Sequence, residues 1–154
     1  MMLPALIAWC AQDFLQVLCS GWSLSPDVFF LTVFTLGLCD ERRTQACLWG
    51  GLLGGVFWDL RWTGVPGLQG ALFSAVFLAS EMLWWSVPKE GRLPSLFLLF
   101  SSAALVVVFL PRFFLSEFGR SLSLTSLGWF ILLSMPSLLG AWLYYGVIYR
   151  RQNV

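Results

Sequence analysis

The sequence contains no histidine, and few of its residues carry charge. Without imidazole there is no Ser-His-Asp triad, no Cys-His pair and no histidine-ligated metal. The four cysteines, Cys10, Cys19, Cys39 and Cys47, form no CxxC pair, and each lies in or beside an apolar run. That pattern describes small packing residues rather than a disulfide or a zinc site. No phosphate-binding loop is spelled out either, so no catalytic residue, cofactor or metal is expected. Charged residues make up 11% of the chain, where a soluble domain has about 25%. No polar stretch is long enough to be a separate soluble domain. The net charge of +1 carries no argument for nucleic acid, and none is expected as a partner.

What the chain has in quantity is apolar residues, 58% of 154. A soluble protein of this size is mostly surface and cannot hide that much. The expectation is an all-α integral membrane protein, a single transmembrane helical domain over residues 1–154. It should be a compact bundle of six, or five to six, transmembrane helices.

The most informative stretch is Gly50–Gly70, GGLLGGVFWDLRWTGVPGLQG. On a helix, Gly51, Gly55 and Asp59 fall at i, i+4 and i+8 and share one face. Gly50 and Gly54 lie beside them and widen the smooth strip. Such a strip lets another helix approach backbone to backbone. That helix belongs either to this chain or to a partner. Asp59 places a carboxylate where a membrane helix would leave the hydrocarbon, and is expected to fix the helix end through hydrogen bonds. Trp58 and Trp62 flank it, as at a membrane–water interface. A turn through Gly64 and Gly67 leads into the next helix.

The remaining segments follow from apolar runs and their punctuation. Residues 2–20 form the first, with no basic n-region and with Asp13 interrupting it, unlike a signal peptide. Gln12, Asp13 and Gln16 are polar at membrane depth and should face protein, either bonding between helices or contacting a ligand. Ser25-Pro26-Asp27 reads as a helix start, with Ser25 the N-cap, Pro26 first and Asp27 in the first turn. That second helix ends near Leu38. Its length of about 20 Å falls short of a crossing of about 30 Å, so it spans with help or forms half of a re-entrant pair. A charged loop, Asp40–Arg43, precedes the glycine helix, Gln45–Leu60. The fourth helix covers Leu68–Val87, with Glu81 its one charge and Trp84-Trp85 at an interface. The fifth covers Leu93–Leu110, where Pro111 ends or kinks it. Residues 112–122 read as an interfacial amphipathic helix or the end of the fifth. The sixth covers Leu124–Tyr149, with a kink at Pro136 and an aromatic belt of Trp142, Tyr144, Tyr145 and Tyr149. With six crossings, Arg42, Arg43, Lys89, Arg92, Arg150 and Arg151 fall on one side, against Arg61, Arg112 and Arg120 on the other. Both termini are therefore expected in the cytoplasm, N-in and C-in.

One family shares this layout. Pro26-Asp27 opening an apolar helix, a charged loop, G-L-L-G-G-x-x-x-D over Gly51–Asp59, and the turn through Gly64 and Gly67 resemble the bacterial rod shape-determining protein MreD. Trp58 departs from the smaller aliphatic residue usual before the acid. The resemblance implies a non-enzymatic scaffold of the cell-wall elongation complex, the elongasome, in the bacterial cytoplasmic membrane. It implies binding to MreC and, indirectly, to RodA, its partner transpeptidase PBP2 and MreB, in support of peptidoglycan synthesis and rod shape. It also implies a fold like the S components of energy-coupling-factor (ECF) transporters, and a small-molecule ligand is not expected. The alternative is a small-molecule-binding membrane subunit of an ECF-type vitamin transporter, with Gln12, Asp13 and Gln16 in its cavity. A closed apolar interior favours the scaffold. A pocket of about 300 Å³ or more with converging polar groups favours the transporter.

Overall fold

The computed structural model describes residues 2–18, 27–63, 65–116 and 124–152. These form six α-helices and no strand: α1 (Met2–Leu18), α2 (Val28–Cys39), α3 (Thr44–Trp58), α4 (Leu68–Ser86), α5 (Pro94–Ser116) and α6 (Leu124–Gln152). Short 3₁₀ turns at Glu41–Arg43 and Lys89–Gly91 and a π-helical turn at Asp59–Thr63 complete the path. The bounds of α3 and α4 and the start of α5 lie within two residues of the sequence expectations, as helix ends do. Pro26 and Gly64, with Ser25 and Cys19, lie outside the described residues.

The shortest helix is the central one. α2 packs against α1, α3, α4, α5 and α6. Phe29, Phe30, Leu31, Val33, Phe34, Thr35, Gly37 and Leu38 are all buried. A helix apolar all round has to be enclosed, and VFFLTVFTLGLC is apolar all round. Its 12 residues do not have to match a bilayer, because protein surrounds them. The core is aromatic. Phe30 stacks on Phe73 with ring centroids 4.9 Å apart, and Phe34 meets Phe77 edge-on at 6.3 Å. At the other end Phe97 and Tyr145 stack at 4.4 Å, and Trp84 meets both edge-on.

Several residues sit elsewhere than the pattern suggested. Trp84 is 1% exposed and belongs to this core rather than to an interface. Trp58 is also buried, at 4%, leaving Trp62 exposed beside it. Tyr145 leaves the aromatic belt for the core, and its hydroxyl donates to the Arg92 carbonyl at 2.8 Å. Pro111 does not end α5, which continues to Ser116. Residues 112–116 are therefore the end of that helix, and the rest of the 112–122 stretch lies outside the described residues. α6 likewise runs through Pro136. A proline removes one backbone hydrogen bond, which long apolar helices tolerate when the freed carbonyl finds a substitute.

Among the described residues two helices are long and apolar enough to cross a membrane, α5 over Pro94–Pro111 and α6 over Phe130–Arg150. Only 33% of the first window and 11% of the second is buried within the bundle. Their apolar surface therefore points mostly outward. α1 and α2 are apolar but shorter.

Candidate interaction site

The glycine strip is consumed largely inside the chain. α3 and α4 share the most extensive packing of any helix pair among the described residues, and Gly55 is where they meet. A Cβ on Gly55 would lie 2.5 Å from Gly70 Cα and 2.6 Å from Gly70 N. A Cβ on Gly70 would in turn lie 2.7 Å from the Leu52 carbonyl oxygen. Backbone lies against backbone, with no side chain able to swing aside. Gly54 is covered differently, by the ring of Phe29, which a Cβ would strike. Gly51 has ordinary room, with its nearest neighbours, Phe73 and Val33, at 3.9 Å. Gly50 faces open space.

The close approach places Asp59 at the start of α4. The residue before that helix is Gly67, whose φ of 87° is left-handed and suits only a glycine in this turn. A glycine has no side chain with which to cap. Asp59, fully buried, fills the role from the end of α3: its Oδ2 accepts from Gln69 N at 2.6 Å. A carboxylate on a free helix N–H meets both an unsatisfied donor and the positive end of the helix dipole.

The start of α2 is built on the same plan. Asp27 occupies the position just before the helix rather than its first turn, and its side chain makes no capping bond. Gln12 on α1 supplies the cap. Its Oε1 accepts from Phe29 N at 2.7 Å and its Nε2 donates to Asp27 Oδ1 at 3.0 Å. Gln12 and Asp27 are each 1% exposed. Thus α1 caps α2, and α3 caps α4, at one end of the bundle.

Asp13 and Gln16 do not join Gln12. Asp13 Oδ1 lies 3.0 Å from Arg61 Nε and accepts from Trp62 Nε1 at 3.1 Å. Trp9 Nε1 donates to the Gly54 carbonyl at 3.4 Å, a second tie from α1 to α3. Gln16 is half-buried and makes no hydrogen bond among the described residues. Sequence reasoning missed Gly70, Gln69, Trp9 and Arg61. Gly70 alone carried a signal, as a glycine inside an apolar helix, but nothing local says which helix it meets.

Comparisons with family models, curated proteins and solved structures found no match. No group of three or more His, Cys, Asp or Glu side chains is placed to hold a metal among the described residues. Cys10, Cys39 and Cys47 are free thiols. A groove of about 340 Å³ lies between α1, α2 and α6, bordered by Thr32, Thr35, Leu36, Ser137, Gly140 and Tyr144. Its threonine and serine hydroxyls are already engaged: Thr32 donates to Val28 O, Thr35 to Leu31 O and Ser137 to Ser134 O. What the site does is hold helices in register.

Proposed function

We propose that this chain is a multi-pass protein of the bacterial cytoplasmic membrane that acts without catalysis as an MreD-type scaffold of the elongasome. In this reading all six helices are embedded, both termini lie in the cytoplasm, and an outer face of the bundle holds MreC. Through MreC it serves RodA, PBP2 and MreB in peptidoglycan synthesis. The observation that carries the reading is the Gly55–Gly70 contact with Asp59 capping α4. It gives the glycines and the acid of the MreD-like motif a joint physical role, a backbone-close helix pair locked at one end.

The surface supports the membrane part. Met82 is 75% exposed, Leu3 69% and Leu99 65%. Apolar side chains on many sides of a bundle suit lipid and would make a water-soluble monomer aggregate. The interior supports a scaffold over a carrier, because aromatic rings fill it and the threonine hydroxyls of the groove between α1, α2 and α6 bond their own helix. The ECF-type alternative draws nothing from that groove.

The test is co-purification. The tagged chain, co-expressed with MreC and solubilised in detergent, is expected to bring MreC down at a constant ratio. Its depletion should turn rods into spheres. Absence of MreC from the eluate, with rods unaffected by depletion, refutes the scaffold. Release of the chain by alkaline carbonate without detergent refutes the membrane placement.

A further inference from the structure

We infer that the outer face of α4 docks a transmembrane helix of another protein that carries an arginine or lysine at the depth of Glu81. This rests on the membrane placement above and is independent of the partner named there. Glu81 is the one charged residue of α4, LQGALFSAVFLASEMLWWS. It is partly exposed, beside Leu78 and Met82, which are 42% and 75% exposed. Among the described residues it makes no hydrogen bond, and neither ion pair includes it. Arg92, which follows α4, is held elsewhere. Its guanidinium donates to the Trp85 and Val87 carbonyls and stands over the Trp85 ring. A carboxylate in hydrocarbon is costly, and acids at membrane depth pair with an opposite charge or face protein. This chain supplies Glu81 with neither, so the cation comes from outside.

Depth decides between a lipid headgroup and a helix. α4 has 19 residues, which makes it about 28 Å long, close to the hydrocarbon thickness of about 30 Å. Glu81 precedes the last residue, Ser86, by about 7.5 Å along the axis. Side chains on a helix lean toward its N-terminus. The nearer membrane surface lies past the C-terminus, so the carboxylate leans away from it and toward the membrane middle. An ethanolamine headgroup stays at that surface, and Glu81 does not turn toward it. A cation at this depth is carried by a helix. The same face gives such a helix room. Ala71 and Ala75, one turn apart, are exposed, and Leu78 continues the row toward Glu81. Small residues let helix backbones approach in lipid. The outer face of α6 is different: Leu132, Met135, Leu139 and Leu143 cover it, with no charge among them.

The full-length chain, with a fluorescent donor on its amino terminus, is reconstituted in phosphatidylcholine vesicles. Synthetic leucine-alanine helices of about 20 residues, labelled with an acceptor, carry either arginine or leucine at the depth of Glu81. Energy transfer should show the arginine helix bound about tenfold more tightly than the leucine helix, the factor of one good polar contact between membrane helices. Glu81→Gln should erase the difference. Glu81→Arg should transfer the preference to a helix carrying glutamate at that place. Equal binding of the arginine and leucine helices by the wild type overturns the proposal. So does an equal preference when the carboxylate is moved to α6, in Glu81→Gln combined with Leu143→Glu, because the face of α4 then contributes nothing. Loss of the preference when phosphatidylethanolamine replaces phosphatidylcholine overturns it too, since a headgroup amine then meets Glu81. Wild type and variants stay in the carbonate-washed vesicles in each of these cases. Their release would refute the membrane placement instead.

Discussion

Replacing Gly55 by alanine adds one methyl group where backbone lies directly against backbone. The new carbon would sit 2.5 Å from Gly70 Cα, 2.6 Å from Gly70 N and 2.9 Å from the Gln69 carbonyl carbon. Carbon atoms pack at about 3.5–4 Å, so α3 and α4 must separate by about 1 Å. All the obstructing atoms are backbone, and no rotamer change relieves them. Overpacking of this kind costs about 1–3 kcal/mol. The separation also stretches the Asp59–Gln69 bond from 2.6 Å to about 3.5 Å, beyond a useful hydrogen bond. That forfeits about 1.5–3 kcal/mol more, the worth of a bond to a charged group. Alanine's better helix propensity returns about 0.8–1 kcal/mol. The net loss is about 2–5 kcal/mol. Gly51→Ala is the control one turn away. Its Cβ meets Phe73 and Val33 at 3.9 Å, an ordinary contact, so it should be neutral or more stable by up to about 1 kcal/mol. Unfolding by sodium dodecyl sulfate in mixed micelles, followed by far-UV circular dichroism, measures both. Equal stability of Gly55→Ala and wild type, or greater damage from Gly51→Ala, refutes the reasoning.

Asp59→Asn keeps an oxygen facing Gln69 N and should cost at most about 1 kcal/mol, whereas Asp59→Ala leaves that buried N–H without its acceptor and should cost about 1–3 kcal/mol. The same unfolding assay ranks them, and the reverse order contradicts the capping role. Gln12→Leu conserves shape but strips Phe29 N of its acceptor and Asp27 of a donor, and should cost about 2–5 kcal/mol. Hydrogen exchange should show the start of α2 opening first. Tyr145→Phe removes only the hydroxyl bond to Arg92 O and should cost about 0.5–1.5 kcal/mol, seen in the same titration, with the core stack on Phe97 retained.

Much of the framework was legible because apolar runs and their breaks are local signals. The helix over Thr44–Trp58, the shared face of Gly51 and Gly55, and the turn at Gly67 all follow from spacing within a few residues. Partners were less legible, because a sequence does not print distances across space. Gly55 announces a close approach but not to Gly70. Gln12 and Asp13 look like one polar group, yet adjacent residues on a helix point about 100° apart. One therefore reaches α2 and the other Arg61. Tryptophans misled for a related reason. Trp84 and Trp85 are neighbours in sequence, but one is core and the other lies half-buried beneath Arg92, whose guanidinium stands 4.4 Å from its ring centre. The shortness of α2 left open how far it crosses, and nothing local announced that five other helices enclose it.

The borrowed caps run in one direction along the chain. Neither α2 nor α4 finishes its own beginning, and in each case the missing atom belongs to the helix made just before it. A ribosome extending the chain therefore delivers each accepting oxygen ahead of the N–H that will bond it. Each hairpin, α1 with α2 and α3 with α4, contains both the cap and the helix start it serves. A cut between Gln12 and Phe29, or between Asp59 and Gln69, would leave a helix waiting for an atom from another polypeptide.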